Sequence, residues 1–379
     1  MNTFDIQATR MERTFVRKIQ NEMHFTTGAG KNNFLVDSDS QILKIRTEFS
    51  TSTQSISRKR LRKAISFLLF KKTATRKELE RYSHMNSSLM GLLQRILIQI
   101  AKITRTAKGL LRITIKGVRF FFSGLDRASI SDLETVVKSG GRHILCSYYY
   151  LRQQNNQRLL DYISQYGLQL LLDSGEYSAY KAREKGKAVD PITISEYAAF
   201  VQTYKKYIFG YFNMDVTNNP EKSKQNFDTL KKLTGIAPIP IWHCNIDNWK
   251  QSDWITLDNL VNEDHAVIGI GATVHMGLKA GPRLMNEVKD QLFKEIFKRH
   301  PLQNFHWLGG SSKILFKYPL FSSDSSGYLQ GRKKNQLYFF DGVDISTRID
   351  DWRTDEQCFE SNVQVLSNLE EMTLYYSIS

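Results

Sequence analysis

Asp173, Asp215 and Asp324 share one setting: each stands just beyond an apolar run of the kind a buried strand makes. Residues 168–172 run without polar alternation into Asp173-Ser174-Gly175, which places an acid at the carboxyl end of a strand covered on both faces. Residues 209–214 lead to Asp215, 238–242 to His243, 266–270 into Gly269-Ile270-Gly271, 304–308 to Gly309-Gly310, and 319–322 to Asp324-Ser325-Ser326. Acids gathered in one pocket suit cleavage of a glycosidic or N-glycosidic bond. One carboxylate attacks the anomeric carbon while a second, kept protonated by its neighbours, donates to the leaving group. Metal-assisted hydrolysis with Asp and His ligands is the chemical rival, but no His-x-His or His-x-x-x-His pair follows a strand. The reading therefore calls for no metal and no cofactor. Singly, each residue has a plain structural role as a helix cap, a packing group or a tight turn. Three acids in the same relation to their strands favour a site.

The elements that must position these residues alternate. Strand-like runs at 119–122, 143–148, 168–172, 209–214, 238–242, 266–270, 304–308 and 319–322 are separated by helix-like segments such as 194–207, 220–233 and 284–299. Eight strands with crossovers predict an α/β fold, a (β/α)8 TIM-like barrel over 119–332, whose chemistry is built at the carboxyl ends of its strands. A doubly wound open sheet is the alternative, although no Gly-x-Gly-x-x-Gly follows the first strand. The tail, 333–379, reads as a helical cap, with a β-like run at 336–340 ahead of an acidic helical stretch around 350–372.

The chain of 379 residues carries a net charge of +15. Residues 1–120 hold about 24 Lys and Arg against about 8 Asp and Glu, so the excess belongs to the first third. That asymmetry predicts a polyanion-binding module ahead of a nearly neutral domain, with a solvated basic face as the bland alternative. No apolar run approaches the length of a membrane span and the start is polar, so the chain is expected to stay off membranes, in the compartment where it is made, the cytoplasm. Cys146, Cys244 and Cys358 lie far apart and are expected reduced.

Within the basic third, residues 1–54 are mixed, with short β-like runs at 33–36 and 41–45. From Ser57 a basic turn containing Arg58, Lys59 and Arg60 precedes an apolar helical stripe. Thr75 and Glu78 have capping-box spacing, Asn86-Ser87-Ser88 suits the start of a third helix, and Arg105 to Gly109 forms a basic turn before a β-like run. Three helices and a basic hairpin over 55–118 resemble the winged helix-turn-helix domain. That likeness implies DNA contacts from Ser87, Ser88, Gln94, Arg95, Arg105 and Lys108, or else a protein-docking module.

The blocks Asp173-Ser-Gly-Glu-Tyr-Ser, Asn213-Met-Asp215-Val, Pro240-Ile-Trp-His243, Gly269-Ile-Gly271 and Tyr318-Pro-Leu-Phe-Ser-Ser-Asp324-Ser-Ser resemble, in order and spacing, the barrel of the tRNA-guanine transglycosylase superfamily. They are most similar to its phage and bacterial members that place 7-deazaguanines in DNA. The resemblance implies Asp324 as nucleophile and Asp173 as acid/base. It further implies Asp215 as reader of the guanine edge, and Gly269 and Gly271 as backbone bordering the base. Ser174, His243 and Gly309 would complete the base pocket, His243 standing where the tRNA enzymes have Gln. The Cys-x-Cys-x-x-Cys zinc motif of the tRNA enzymes is missing after Asp324, and Glu176-Tyr177 replaces their Gly-Phe. The missing zinc motif and the winged helix likeness of the basic domain favour DNA over tRNA as the polymer, with a 7-deazaguanine as the small substrate. A nucleic-acid-binding protein on a retired barrel is the rival class.

Overall fold

The computed structural model describes residues 3–19, 22–126, 129–153, 157–216, 219–243, 251–271, 282–342 and 345–378, without the side chains of 3, 282–285, 377 and 378. Cys244 lies outside these residues. The chain divides into two units, residues 1–116 and 117–377.

In the first unit α1 (Thr3–Arg17) precedes a four-stranded antiparallel sheet, β1 (Met23–Thr26), β2 (Asn32–Ser38), β3 (Ile42–Thr47) and β4 (Thr53–Ser57), ordered β1-β2-β3-β4. There follow α2 (Arg58–Lys71), β5 (Thr73–Thr75), α3 (Arg76–Leu79), α4 (Asn86–Ile96), β6 (Ala101–Arg105) and β7 (Leu111–Ile115), the strands pairing as β5-β7-β6. Ser57 caps α2, whose buried stripe is Leu61, Ala64, Ile65, Leu68 and Leu69. The expected Thr75–Glu78 capping box opens α3. Residues 1–54 are therefore not a loose mixed segment. Ala8, Phe25, Leu35 and Leu43 share one core with Leu61, Leu89 and Ile113, because neither the sheet nor the helices can cover an apolar face alone.

Helix α4 departs from expectation. Its N-cap is Met85, with no side-chain bond, and not the Asn-Ser-Ser group. Residues 88–93 are buried on every side. The face turned from the core is covered by the β1–β2 hairpin: Asn33 Nδ2 donates to Ser88 Oγ at 3.0 Å, and a Cβ on Gly91 would stand 2.3 Å from the Thr26 carbonyl oxygen. Only glycine allows that approach.

The second unit is a mixed α/β, TIM-like fold. Its eight parallel strands are β8 (Arg119–Ser123), β9 (His143–Ser147), β10 (Gln169–Asp173), β11 (Ile208–Tyr211), β12 (Ile241–His243), β13 (Ile268–Gly271), β14 (Phe305–Trp307) and β15 (Ser322–Ser325). The sheet curls in the order β11-β10-β9-β8-β15-β14-β13-β12, with β15 pairing β8 over four residues, Ser322↔Arg119 to Ser325↔Phe122. Its two edges, β11 and β12, meet through an isolated parallel bridge of Phe212 with Ile239. Outward side chains such as Ile144, Leu170, Leu172, Ile268 and Ile270 pack with the surrounding helices into one core. Each side chain of this kind contributes about 1.5–3 kcal/mol when fully buried.

At the amino end of the strands Arg119, 3% exposed, donates to Gln169 Oε1 at 3.1 Å and to Glu370 Oε2 at 3.1 Å. A paired guanidinium among neutral and acidic acceptors is a structural plug. The tail adds an antiparallel hairpin, β16 (Gln336–Phe340) and β17 (Ile345–Ile349), before the helices Asp355–Ser367 and Leu369–Ile378, so the cap is not helical alone. Buried Asn362 ties it down, accepting from the Tyr338 N–H and donating to the carbonyls of Tyr328 and Gln336.

Candidate active site at the carboxyl ends of the strands

Strand register decides which side chains meet. Asp324 pairs Phe121, His306 pairs both Ser322 and Gly269, His243 pairs Gly271, and Asp173 pairs Ser147. Side chains two apart on a strand share a face. Phe121 and Phe212 sit against the His306 ring at 6.2 and 5.1 Å, which fixes the inward face.

Asp173 is the last residue of β10, not the first beyond it. Its Oδ2 accepts the Gly175 N–H at 2.9 Å. Gly175 has φ +86°, and a Cβ there would lie 2.5 Å from the Tyr149 nitrogen, so the turn that aims Asp173 requires glycine. Burial first, then the carboxylates of Asp324, Asp215 and Asp126, push the Asp173 carboxyl up to about 7. Ser174 is buried beside it.

Asp324 lies inside β15 and is 7% exposed. Its Oδ1 accepts the Gly309 N–H at 3.0 Å and faces His306 Nε2 at 3.2 Å, while Oδ2 has no hydrogen bond among the described residues. His306, 1% exposed, is held from its other nitrogen by Ser322 Oγ at 2.8 Å. Ser323, on the opposite face, donates to the carbonyls of Trp307 and Gly310 at 2.9 and 2.6 Å and locks β15 against β14. The result is a carboxylate with one oxygen fixed and one available.

Asp215 follows β11 and is hydrogen-bonded through Oδ2 to His243 Nε2 at the end of β12. The His243 ring presses on β13: a Cβ on Gly271 would stand 2.7 Å from ring atoms, and one on Gly269 would stand 3.0 Å from Leu308. Both glycines are buried inside β13 and not in the loop after it. Gly309, with φ +72°, is exposed at the carboxyl ends of the strands.

Two site residues escape a reading of strand ends. Asp126, 8% exposed, accepts the Ser147 N–H and is the third carboxylate acting on Asp173. It stands four residues beyond the apolar run 119–122, whereas Asp215 directly follows the run 209–214. His306 hides between Phe305 and Trp307 in an apolar run; a lone imidazole at an inward position is the signal that finds it. Buried Tyr197 braces the floor by donating to the carbonyls of Leu172 and Phe212 at 3.4 and 3.0 Å. Burial and the nearby Asp173 charge hold its phenol well above the ordinary value.

In the first unit, Arg58 is spent on Glu12 and the Asp39 carbonyl, and Ser88 is buried. Lys59, Arg60, Arg95, Arg105 and Lys108 are exposed, Arg105 donating to the Gly109 carbonyl at 3.2 Å, and Ser87 is half-buried. Cys146 and Cys358 are buried and free of disulfides. No described helix is long and apolar enough to cross a membrane.

No protein-family model matches this chain, and no curated protein matches it significantly.

Proposed function

We propose that this protein is a glycosyltransferase that exchanges a base in nucleic acid through a covalent enzyme intermediate. More particularly, we read it as a transglycosylase of the tRNA-guanine transglycosylase superfamily that replaces guanine in DNA by a 7-deazaguanine. The observation that carries the reading is the division of labour between two neighbouring carboxyls, Asp173 raised to about 7 and Asp324 held by Gly309 with one oxygen uncommitted. The sheet, its edges joined at Phe212 and Ile239, is taken as a closed (β/α)8 barrel.

In the mechanism Asp324 Oδ2 attacks C1′ of the target nucleotide. The C1′–N9 bond breaks, its electron pair leaves with guanine, and protonated Asp173 supplies the proton the departing base needs. The incoming 7-deazaguanine then attacks C1′ through its own ring nitrogen, passes that nitrogen's proton to Asp173, and the C1′–O bond to Asp324 breaks. Asp215, oriented by His243, accepts from the N–H donors on the guanine edge. The target base must leave its stack to reach a barrel mouth, at a cost of a few kcal/mol that phosphate contacts offset.

The order helix, strand, helix, helix, strand, strand over residues 58–115 supports a winged helix reading of that part. Its third helix is covered, however, so groove entry by Ser88 is withdrawn. DNA remains the preferred polymer on the missing zinc motif of the tRNA enzymes and the winged helix likeness, and the cytoplasm the preferred compartment. The test is exchange of labelled guanine measured side by side on duplex DNA, single-stranded DNA and tRNA with the full chain. Exchange confined to tRNA would overturn the DNA assignment. Tight binding with neither exchange nor a trapped adduct on any polymer would favour the inert barrel.

A further inference from the structure

The cations of the first unit are not spread evenly, and one group of exposed ones without ion-pair partners among the described residues lies on α1 and α2, not on α4. On α1, Arg10, Arg13 and Arg17 recur at helical spacing on the face opposite the core, where Ala8, Met11 and Phe15 pack. All three are exposed, and among the described residues none has an ion-pair partner. Helix α2 lies antiparallel alongside: Glu12 meets Arg58 and Arg62, Asp5 meets Ser66, and Phe4 meets Phe70 edge-on at 5.9 Å. Its outward positions Lys59 and Lys63 are likewise exposed and unpaired among the described residues.

The acids of the pair do not neutralise this face. Glu12 is 0% exposed and clamped by Arg58 Nε at 2.5 Å and Arg62 Nη1 at 3.5 Å, and Asp5 accepts from Ser66 Oγ at 2.7 Å. Both are used at the seam between the helices, so five cations stand on the outer surface with no acid among them.

Resting on the nucleic-acid reading above, we propose that the outer face of the α1–α2 pair, through Arg10, Arg13, Arg17, Lys59 and Lys63, is the surface that grips the phosphate backbone. Arg10 to Arg17 spans about 10 Å at about 1.5 Å per residue, a length of duplex that carries about three phosphates of one strand at about 3.4 Å each. Base-independent contact needs only such a row of cations, whereas base reading needs a continuous exposed helix face, and residues 88–93 of α4 are buried. A lipid surface fits less well. An interfacial helix keeps its apolar face for the acyl boundary, and here Phe4, Met11 and Phe15 are packed against the protein core, leaving Ile6 exposed.

The experiment uses the full chain and a fluorescent duplex oligonucleotide titrated at two salt concentrations, with circular dichroism confirming the fold of each variant. Arg10→Glu, Arg13→Glu and Arg17→Glu together should weaken binding by about 100-fold and lower the salt slope by about 3, one for each lost phosphate contact. Lys59→Glu with Lys63→Glu should weaken it by about 10-fold. Arg95→Glu should change it less than about 3-fold, because Arg95 lies outside the proposed face. Triple-variant binding equal to wild type at both salts, with Arg95→Glu abolishing it, overturns the assignment to α1–α2 and leaves the transglycosylase reading standing. A wild-type chain that binds neither duplex DNA nor tRNA but does bind phosphatidylserine vesicles through the same residues overturns both.

Discussion

In residues 1–116 the outward cations of the first two helices, Arg10, Arg13, Arg17, Lys59 and Lys63, stand in solvent at helical spacing, whereas in residues 117–377 Asp126 and Asp324 are only 8% and 7% exposed and crowd Asp173 at the strand ends. Charges in water act nearly independently and are screened within about 10 Å at 0.1 M salt. Charges in a packed lumen act through one another and through the N–H groups that hold them, and salt scarcely reaches them. The first arrangement suits grip on a long polyanion; the second suits one bond-breaking event. The proposed division of labour makes grip and chemistry separable by mutation.

The sharpest separation comes from Asp324→Asn. Loss of the nucleophile should cut base exchange by on the order of 10⁴-fold or more while leaving duplex affinity unchanged. Exchange near the wild-type rate would break the comparison at once. Asp173→Asn should cost about 10²–10⁴-fold in the release of guanine, measured in a single turnover, again without loss of affinity.

Asp173→Asn should also change stability in a direction opposite to its effect on activity. The Asp173 carboxyl is raised to about 7 from an ordinary 3.8, so the folded state prefers the neutral acid. Wild-type stability therefore falls as pH rises from about 4 through about 7. The asparagine variant should gain a melting-temperature advantage over that window and keep it at pH 8. An advantage that shrinks with pH would contradict the burial of Asp173.

Gly175→Ala should destabilise the second unit by about 1–3 kcal/mol, since it adds a side chain at positive φ against Tyr149, and denaturant unfolding would measure it. The smallest effect is expected of Asp126→Asn. That change keeps an acceptor for the Ser147 N–H but removes the last-named of the three carboxylates acting on Asp173. The basic limb of the guanine-release profile, near pH 7, should shift to lower pH, and an unmoved limb would detach Asp126 from the site.

Much of the parallel sheet was legible because strands covered on both faces read as apolar runs, and 119–122, 143–148 and 168–172 fall within a residue of β8, β9 and β10. The run 319–322 instead pointed three residues early, because β15 is Ser-Ser-Asp-Ser. Its inward side chains build the site, outward Ser323 locks the neighbouring strand and outward Ser325 holds the turn at Gly327, so the strand that matters most carries the weakest apolar signal. Asp173, Asp215 and His243 were found by position. His306 was masked by its aromatic neighbours and Asp126 by its distance from β8. In the first unit α2 and α3 could be read from their caps and stripes, whereas α1 lay in a stretch read as mixed, and neither the cap of α4 nor its covering could be read. The contacts made by Asn33 and Thr26 join residues some 55 and 65 positions apart in the chain, and nothing local in either segment announces the other.

The eight strands do not close evenly. Strand β15 meets β8 along a ladder of four residue pairs, whereas β11 and β12 are joined by the Phe212–Ile239 bridge, its flanking backbone bonds, and the Asp215–His243 pair above it. The amides of Asn213 and Ile239 should therefore exchange with deuterium sooner than those of Leu171 and Leu172 in the sheet interior. A base that takes over the carboxylate of Asp215 would release His243, so the seam, alone among the strand junctions, should change its exchange rate when the pocket fills.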